Sequence, residues 1–132
     1  MAGEKILLVD DDYDFCEATE LLLQARGYDV TMAHDGEEGL EKVRSRQPDL
    51  VILDVMMPKM NGYDVCVVMK ADPELSAIPV ILLTAVGQEM FKTPYTKEMG
   101  LMTEADDYIA KPVEPQELLE RIEALLLMWK EE

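Results

Sequence analysis

The stretch LVILDVMMPKMNG, residues 50–62, decides the fold predicted for this chain. Its first four residues are apolar without interruption, which is typical of a strand covered on both faces in a parallel sheet. Asp54 is the first charged residue after that run, and an isolated buried carboxylate is costly unless it has partners. We therefore expect other segments to bring polar or charged groups to the same end of the sheet.

Length and composition limit the classes of protein to consider. The chain has 132 residues, of which 48% are hydrophobic and 30% charged, and this suits one globular domain. We expect neither a signal peptide nor a membrane span, because the apolar runs are short. Cys16 and Cys66 fall far apart within predicted helices, so we expect buried, reduced thiols and a cytoplasmic location.

The formal net charge of −16 restricts the partners of the chain. Phosphate backbones and anionic lipids would repel such a domain, so we expect no direct contact with nucleic acid or membrane. A cation or a basic protein surface is a more suitable partner. Zinc is not expected, since His34 and two distant cysteines are too few soft ligands.

Five short apolar runs predict five strands: Ile6–Val9, Tyr28–Ala33, Leu50–Leu53, Val80–Leu83 and Asp107–Ala110. Three of these runs are continuous, which indicates strands buried on both faces. The second run alternates between apolar and polar residues, and this favours an edge strand.

Helical patterns occupy the segments between the runs. They predict helices over residues 13–26, from Asp35 to beyond Val43, over residues 63–71, and from about Pro115 onwards. Asp35 and Glu38 resemble a capping box, and Leu40 and Val43 should face inward. The first helix should end before Gly27. Its inward side chains are expected to be Phe15, Cys16, Leu22, Leu23 and Ala25.

The segment after the fourth strand is less regular. Pro94 would break one continuous helix, so Thr93 is expected to cap a helix that runs to about Met102. A loop over residues 86–92 should precede it. The large apolar side chains in this region either belong to the core or form a surface for a partner.

This order of strands and helices predicts an α/β fold, a doubly wound five-stranded parallel sheet with five helices. Ligands of such sheets bind beyond the carboxyl ends of the strands. Asp10, Asp11 and Asp12 follow the first strand, and Asp54, Thr84 and Lys111 follow the third, fourth and fifth. We therefore expect these residues to share one edge.

Crowded carboxylates need a cation or shifted pKa values, and Mg²⁺ suits oxygen ligands while keeping open positions for phosphate oxygens. A carboxylate can also act as a nucleophile that forms an acyl phosphate. A haloacid-dehalogenase-like phosphatase that uses Asp10 and Asp12 is an alternative, although it gives Asp54 no role. A phosphorylation-independent interaction module on the same fold is another.

The motifs ILLVDDD, ILDVMMPKMNG, VILLTA and DDYIAKP resemble the response regulator receiver domain of two-component signalling. The resemblance spans nearly the whole chain and implies a flavodoxin-like sheet of strand order 2-1-3-4-5. It implies Asp54 as phosphoacceptor and Mg²⁺ held by Asp10, Asp11, Asp54 and the backbone carbonyl of Met56.

The same resemblance implies Thr84 and Tyr108 as switch residues and Lys111 as the phosphate-binding lysine, with a cis bond before Pro112. Asp12 either starts the first helix or contacts the metal through water. The segment between Thr84 and Lys111 is longer than the family pattern, and Glu104 replaces a frequent glycine.

The resemblance implies that the chain accepts a phosphoryl group from a sensor histidine kinase or a phosphotransfer protein. It also implies that the chain catalyses its own phosphorylation and dephosphorylation without being a turnover enzyme. Activation would change the face formed by the fourth helix, fifth strand and fifth helix, for a downstream protein target or a homodimer. Residues 1–132 are expected to form a single receiver domain without an effector domain.

Overall fold

The computed structural model describes residues 3–84 and 105–130, with side chains up to residue 128. The strands are β1 (Lys5–Val9), β2 (Asp29–Ala33), β3 (Leu50–Asp54), β4 (Val80–Thr84) and β5 (Asp107–Ala110). The helices are α1 (Tyr13–Ala25), α2 (Gly36–Arg46), α3 (Gly62–Ala71) and α4 (Pro115–Lys130). The fifth helix of the sequence-based prediction is therefore α4, and the predicted fourth helix and its preceding loop lie outside the described residues.

The five strands form one parallel sheet in the order β2-β1-β3-β4-β5. The predicted fold and strand order are confirmed, and β2 is an edge strand as its alternating sequence indicates. Val9 pairs with Leu53, and Thr84 pairs with Ala110, so the carboxyl ends of these strands lie side by side. This alignment positions the polar residues that follow them.

Two apolar clusters sandwich the sheet, because successive strand side chains point to opposite faces. Along β1, Ile6 and Leu8 join a cluster beneath α1 and α4, whereas Leu7 and Val9 join a cluster beneath α2 and α3. Every residue of β3 and β4 is buried. The continuous apolar runs are thus explained by helices on both faces of the sheet.

Polar caps set the starts of the first two helices. The Asp12 carboxylate accepts a hydrogen bond of 3.1 Å from the Phe15 amide, and Asp35 accepts one of 2.8 Å from the Glu38 amide. The Glu38 carboxylate reaches back to the amide of His34 at 2.9 Å, one residue before the position that a capping box uses. Gly27, at φ +91°, follows α1 as predicted.

The prediction that Ala25 of α1 faces the core is wrong. Ala25 is exposed, while Thr19 is buried beside Cys16 and Leu23. Ala25 lies nine positions after Cys16, which turns Ala25 to the opposite side of a helix with 3.6 residues per turn. Thr19 lies three residues from Cys16 and four from Leu23, so it shares their face.

Among residues 3–84 and 105–130, none of the helices combines the length and the apolar character that crossing a membrane requires.

Candidate functional site

Three carboxylates converge at the carboxyl edge of the sheet. Asp10 and Asp54 are buried, at 0% and 3% exposure, while Asp11 is exposed. One oxygen from each of the three carboxylates lies within 4.8 Å of the others. The predicted convergence of residues from the first and third strands is therefore present.

Contacts to four other residues hold the backbone and the carboxylate of Asp10 in place. Its amide donates to the Ala33 carbonyl at 3.0 Å, and its Oδ1 accepts from the Asp12 amide at 2.9 Å. Its carbonyl lies 3.1 Å from His34 Nδ1 and accepts from Cys16 Sγ at 3.3 Å. Burial, followed by the charges of Asp10 and Asp12, raises the pKa of Cys16 to about 12, so the thiol keeps the proton that it donates.

Asp54 ends β3, and the chain turns immediately after it. The Val55 amide donates to the Leu83 carbonyl at 2.9 Å, and the Gly62 amide donates to the Val55 carbonyl at 3.0 Å. A Cβ at Gly62 would collide with the Asp54 carbonyl, so the close return of the chain requires glycine. The Met56 amide lies 3.4 Å from Asp54 Oδ1, and the Met56 side chain is exposed.

Lys111 brings a positive charge to the acids. Its ammonium lies 2.9 Å from Asp10 Oδ2 and 3.4 Å from Asp54 Oδ1. Its amide donates to the Thr84 carbonyl at 2.8 Å, so the residue directly continues the pairing of β4 with β5. The Lys111–Pro112 peptide bond is cis, as the resemblance implied.

Burial and charge shift the pKa values of two of these groups. Burial, followed by the negative charge of Asp10, raises the pKa of Asp54 to about 6 despite the opposing effect of Lys111. Burial alone would lower the pKa of Lys111, but hydrogen bonds and charges from Asp10 and Asp54 outweigh it and raise that pKa. At neutral pH the site therefore holds an ionised Asp54 beside an ammonium.

The donor set fits a hard divalent cation. Three carboxylates present oxygen atoms within 4.8 Å of one another, and the exposure of Asp11 leaves one side of the group open to water. Mg²⁺ takes oxygen ligands from one or two carboxylates and retains several waters. Asp10, Asp11 and Asp54 therefore match magnesium better than a soft metal.

The other predicted site residues take different places. Thr84 is buried at the end of β4, next to the strand that Asp54 ends. Tyr108 pairs with Leu82 two residues before the end of β5, where it is half-buried and packs against the cluster beneath α3. Asp12 is the N-cap of α1, the simpler of its two predicted roles.

Sequence reasoning missed two side chains at this site. His34 follows β2 and contacts the Asp10 carbonyl, and its ring stacks on Tyr13 with centroids 3.8 Å apart. Its position directly after a strand could have indicated it. Phe15 lies beneath the Lys111 ammonium, 5.3 Å from ring centroid to nitrogen. The sequence contains no signal for that contact between α1 and the end of β5.

Known proteins resemble this chain in sequence. DNA-binding response regulator MtrA of Mycobacterium leprae is 42% identical over 123 residues, which are 93% of this chain and 51% of that protein. The alkaline phosphatase synthesis transcriptional regulatory protein PhoP of Bacillus subtilis is 40% identical over 124 residues, 94% of this chain and 49% of that protein. The chain thus spans about half the length of the curated relatives it matches.

Solved structures share the fold. The signal receiver domain of a signal transduction histidine kinase from Syntrophus aciditrophicus gives a TM-score of 0.84 at 35% identity, covering 93% of this chain and 89% of that one. A CheY-like response regulator receiver domain protein from Methanospirillum hungatei also gives 0.84, at 30% identity and 98% coverage of both chains.

None of these similarities supports a haloacid-dehalogenase-like phosphatase or a phosphorylation-independent module. The family model for the response regulator receiver domain matches residues 6–123, which are most of the chain. On this match and on the relatives above, the chain belongs to the response regulator receiver domains, the phosphorylation-activated signalling switches of two-component systems.

Proposed function

We propose that Asp54 is the phosphoacceptor of this receiver domain and that the domain catalyses its own phosphorylation. The observation that carries the proposal is a buried carboxylate 3.4 Å from the Lys111 ammonium and grouped with two further acids. Asp54, with a pKa of about 6, is ionised at neutral pH and can act as a nucleophile.

The proposed step transfers a phosphoryl group from a phosphohistidine of a sensor histidine kinase or phosphotransfer protein. An Asp54 carboxylate oxygen forms a bond to phosphorus while the phosphorus–nitrogen bond breaks. The leaving imidazole nitrogen keeps the bonding electron pair and takes a proton from solvent. Water later attacks the acyl phosphate, which releases inorganic phosphate and restores the carboxylate.

Asp10, Asp11, Asp54 and the Met56 backbone carbonyl would hold Mg²⁺. The ion would supply positive charge for the phosphoryl oxygens, which matters because phosphoryl transfer depends mainly on positioning and charge neutralisation. Lys111 supplies a second positive charge from the chain itself. The Asp10 contact directs this ammonium toward Asp54.

The switch would begin with the charge of the phosphoryl group, close to two negative charges with new acceptor oxygens. Thr84 offers a hydroxyl from the end of β4, and Lys111 offers an ammonium from the end of β5. Movement of Thr84 would empty space that the half-buried Tyr108 ring can fill. The proposed readout is the face around β5 and α4, for a downstream protein or a second copy of the chain.

We further propose that residues 1–132 act as one receiver domain in the cytoplasm, where Cys16 and Cys66 stay reduced. Its partners are proteins rather than nucleic acid, which the net charge of −16 favours. The absence of nucleic-acid contact stays a prediction, because MtrA is named a DNA-binding regulator and is about twice as long as this chain.

Phosphorylation by a small donor tests the acceptor assignment. The chain is incubated with phosphoramidate and Mg²⁺, and the mass added by the phosphoryl group is measured on the intact protein. Asp54→Asn should abolish the uptake, whereas Asp29→Asn, an exposed acid at the start of β2, should leave it unchanged. Full uptake by Asp54→Asn would refute the assignment.

A further inference from the structure

We propose that Phe15 is a positioning residue for Lys111, and that its ring face holds the lysine ammonium toward the phosphoacceptor carboxylate. This inference rests on the proposed phosphoacceptor function of Asp54 and adds to it a residue outside the polar site. The Lys111 nitrogen lies 5.3 Å from the Phe15 ring centroid. That distance is within the range over which an ammonium is attracted to an aromatic face.

The ammonium has contacts of two kinds. Asp10 Oδ2 at 2.9 Å and Asp54 Oδ1 at 3.4 Å supply negative charge, and the Phe15 ring supplies a neutral but electron-rich face. A neutral ring can attract the lysine without adding a charge to a site that already contains three carboxylates. It therefore guides Lys111 without competing for a metal ion or repelling a phosphoryl group.

The ring itself is anchored. The Phe15 amide donates to the Asp12 carboxylate at 3.1 Å, which fixes the first turn of α1 below the strand ends. The Phe15 side chain is half-buried and, like Val113, packs against the cluster beneath α1 and α4. An anchored ring restricts an otherwise flexible lysine, whose side chain is 29% exposed to solvent.

Three consequences follow for the reaction. One side of the ammonium is turned away from water, which strengthens its attraction to nearby anions. The lysine loses fewer conformations when the phosphoryl group arrives. The capping role of Asp12 also becomes part of the support of the site, because Asp12 fixes the residue that orients Lys111.

The test uses Phe15→Leu, which keeps an apolar side chain and removes the aromatic face. We expect the rate of Asp54 phosphorylation by saturating phosphoramidate to fall by about two- to tenfold, the range that a cation–π contact supports. The donor concentration at half-maximal rate should change less. Phe15→Tyr keeps the face and should restore most of the rate.

Combining each variant with Lys111→Ala separates positioning from packing. If Phe15 acts through the lysine, Phe15→Leu should cause no further loss of rate in the Lys111→Ala background. An equal loss in both backgrounds would overturn the proposal, as would a Phe15→Leu chain with the wild-type rate. If the wild-type protein takes up no phosphate at all, that result refutes the proposed phosphoacceptor function rather than the positioning role of Phe15 alone.

A ring variant covers the case in which Phe15→Leu does not fold. Trifluorophenylalanine introduced at position 15 keeps the size of the ring and withdraws electron density from its face. The phosphorylation rate should again fall while the thermal unfolding midpoint stays close to that of the wild type. An unchanged rate with the fluorinated ring would contradict the proposal.

Discussion

Lys111 and Asp10 form an ion pair of 2.9 Å although 101 positions separate them in the chain. Asp10 is fully buried, and Lys111 is the residue that follows β5. The pair therefore connects the first strand to the last across β3 and β4. Because the same ammonium also reaches Asp54, its positive charge compensates both buried carboxylates at this edge.

Replacing Lys111 by alanine should destabilise the metal-free protein. The substitution leaves Asp10 and Asp54 without that ammonium, and we expect a loss of about 1–3 kcal/mol, reduced from a fully buried pair because the lysine is partly exposed. Mg²⁺ should recover much of the loss, since it compensates the same charges. Urea unfolding with and without Mg²⁺ measures both effects.

Lys5→Ala is the matched control for this experiment, because Lys5 is an exposed lysine at the start of β1. Its stability should stay within about 0.5 kcal/mol of the wild type. An equal loss for Lys111→Ala with and without Mg²⁺ would show that the packing of the lysine chain, rather than its charge, stabilises the site.

Asp54→Asn should stabilise the metal-free fold at neutral pH. Burial, then the charge of Asp10, raises the pKa of Asp54 from 3.8 to about 6, so the folded chain holds a proton that the unfolded chain releases. Asp54 therefore reduces stability as the pH rises from 3.8 to about 6, and asparagine removes that loss. Above pH 6 the free energy of unfolding of Asp54→Asn should exceed that of the wild type by up to about 3 kcal/mol.

Unfolding of wild type and Asp54→Asn across this pH range checks the sign. The difference in free energy of unfolding between Asp54→Asn and the wild type should be small below the ordinary aspartate pKa and constant above pH 6. Asp29→Asn, at an exposed position, should show no comparable dependence. A neutral-pH stability for Asp54→Asn below that of the wild type would contradict the raised pKa.

Magnesium should stabilise the folded chain through the three carboxylates. Above its dissociation constant, each tenfold increase in free Mg²⁺ should raise the free energy of unfolding by about 1.4 kcal/mol. Asp11→Asn should shift this dependence to higher Mg²⁺ concentrations, because it removes one charged ligand. Asp14→Asn changes a nearby exposed acid outside the group and should leave the dependence unchanged. Identical curves for Asp11→Asn and wild type would exclude Asp11 as a ligand.

Most of the sheet could be predicted from sequence because buried parallel strands leave continuous apolar runs. The run LVIL placed β3 to within one residue, and the structure adds Asp54 to its end. Strand ends then predicted the grouping of Asp10, Asp54 and Lys111, since parallel strands finish at a common edge. Bringing those side chains together also required the first, third, fourth and fifth strands to be neighbours, an order that the resemblance to receiver domains implied.

Details of packing were harder to predict. Ala25 faces solvent because helical phase, rather than apolar character, sets the side of α1 on which a residue lies, and the same phase buries the polar Thr19. The contact of Phe15 with Lys111 depends on how α1 sits on the sheet, which residue spacing does not encode. The roles of Met56, Thr84 and Tyr108 stay predictions that phosphorylation experiments must test.

Gly62→Ala should disturb the site through the backbone. An added Cβ would collide with the Asp54 carbonyl group and approach Val55 Cα, and backbone atoms cannot move aside as a flexible side chain can. We expect a loss of about 2–3 kcal/mol in stability and slower uptake of phosphate, because the collision displaces the acceptor residue itself. Urea unfolding and labelling by phosphoramidate measure the two effects.

Gly39→Ala adds the same methyl group to another helical glycine and serves as the control. Its Cβ would meet Val9 Cγ1 at 2.9 Å and Cγ2 at 3.1 Å, so the buried valine side chain must shift, whereas the nearest atoms at Gly62 belong to the backbone. The gain in helix propensity, about 1 kcal/mol, should offset much of that crowding. Labelling of Gly39→Ala should match the wild type. If Gly62→Ala also labels at the wild-type rate, the return of the chain at Gly62 does not determine the position of Asp54.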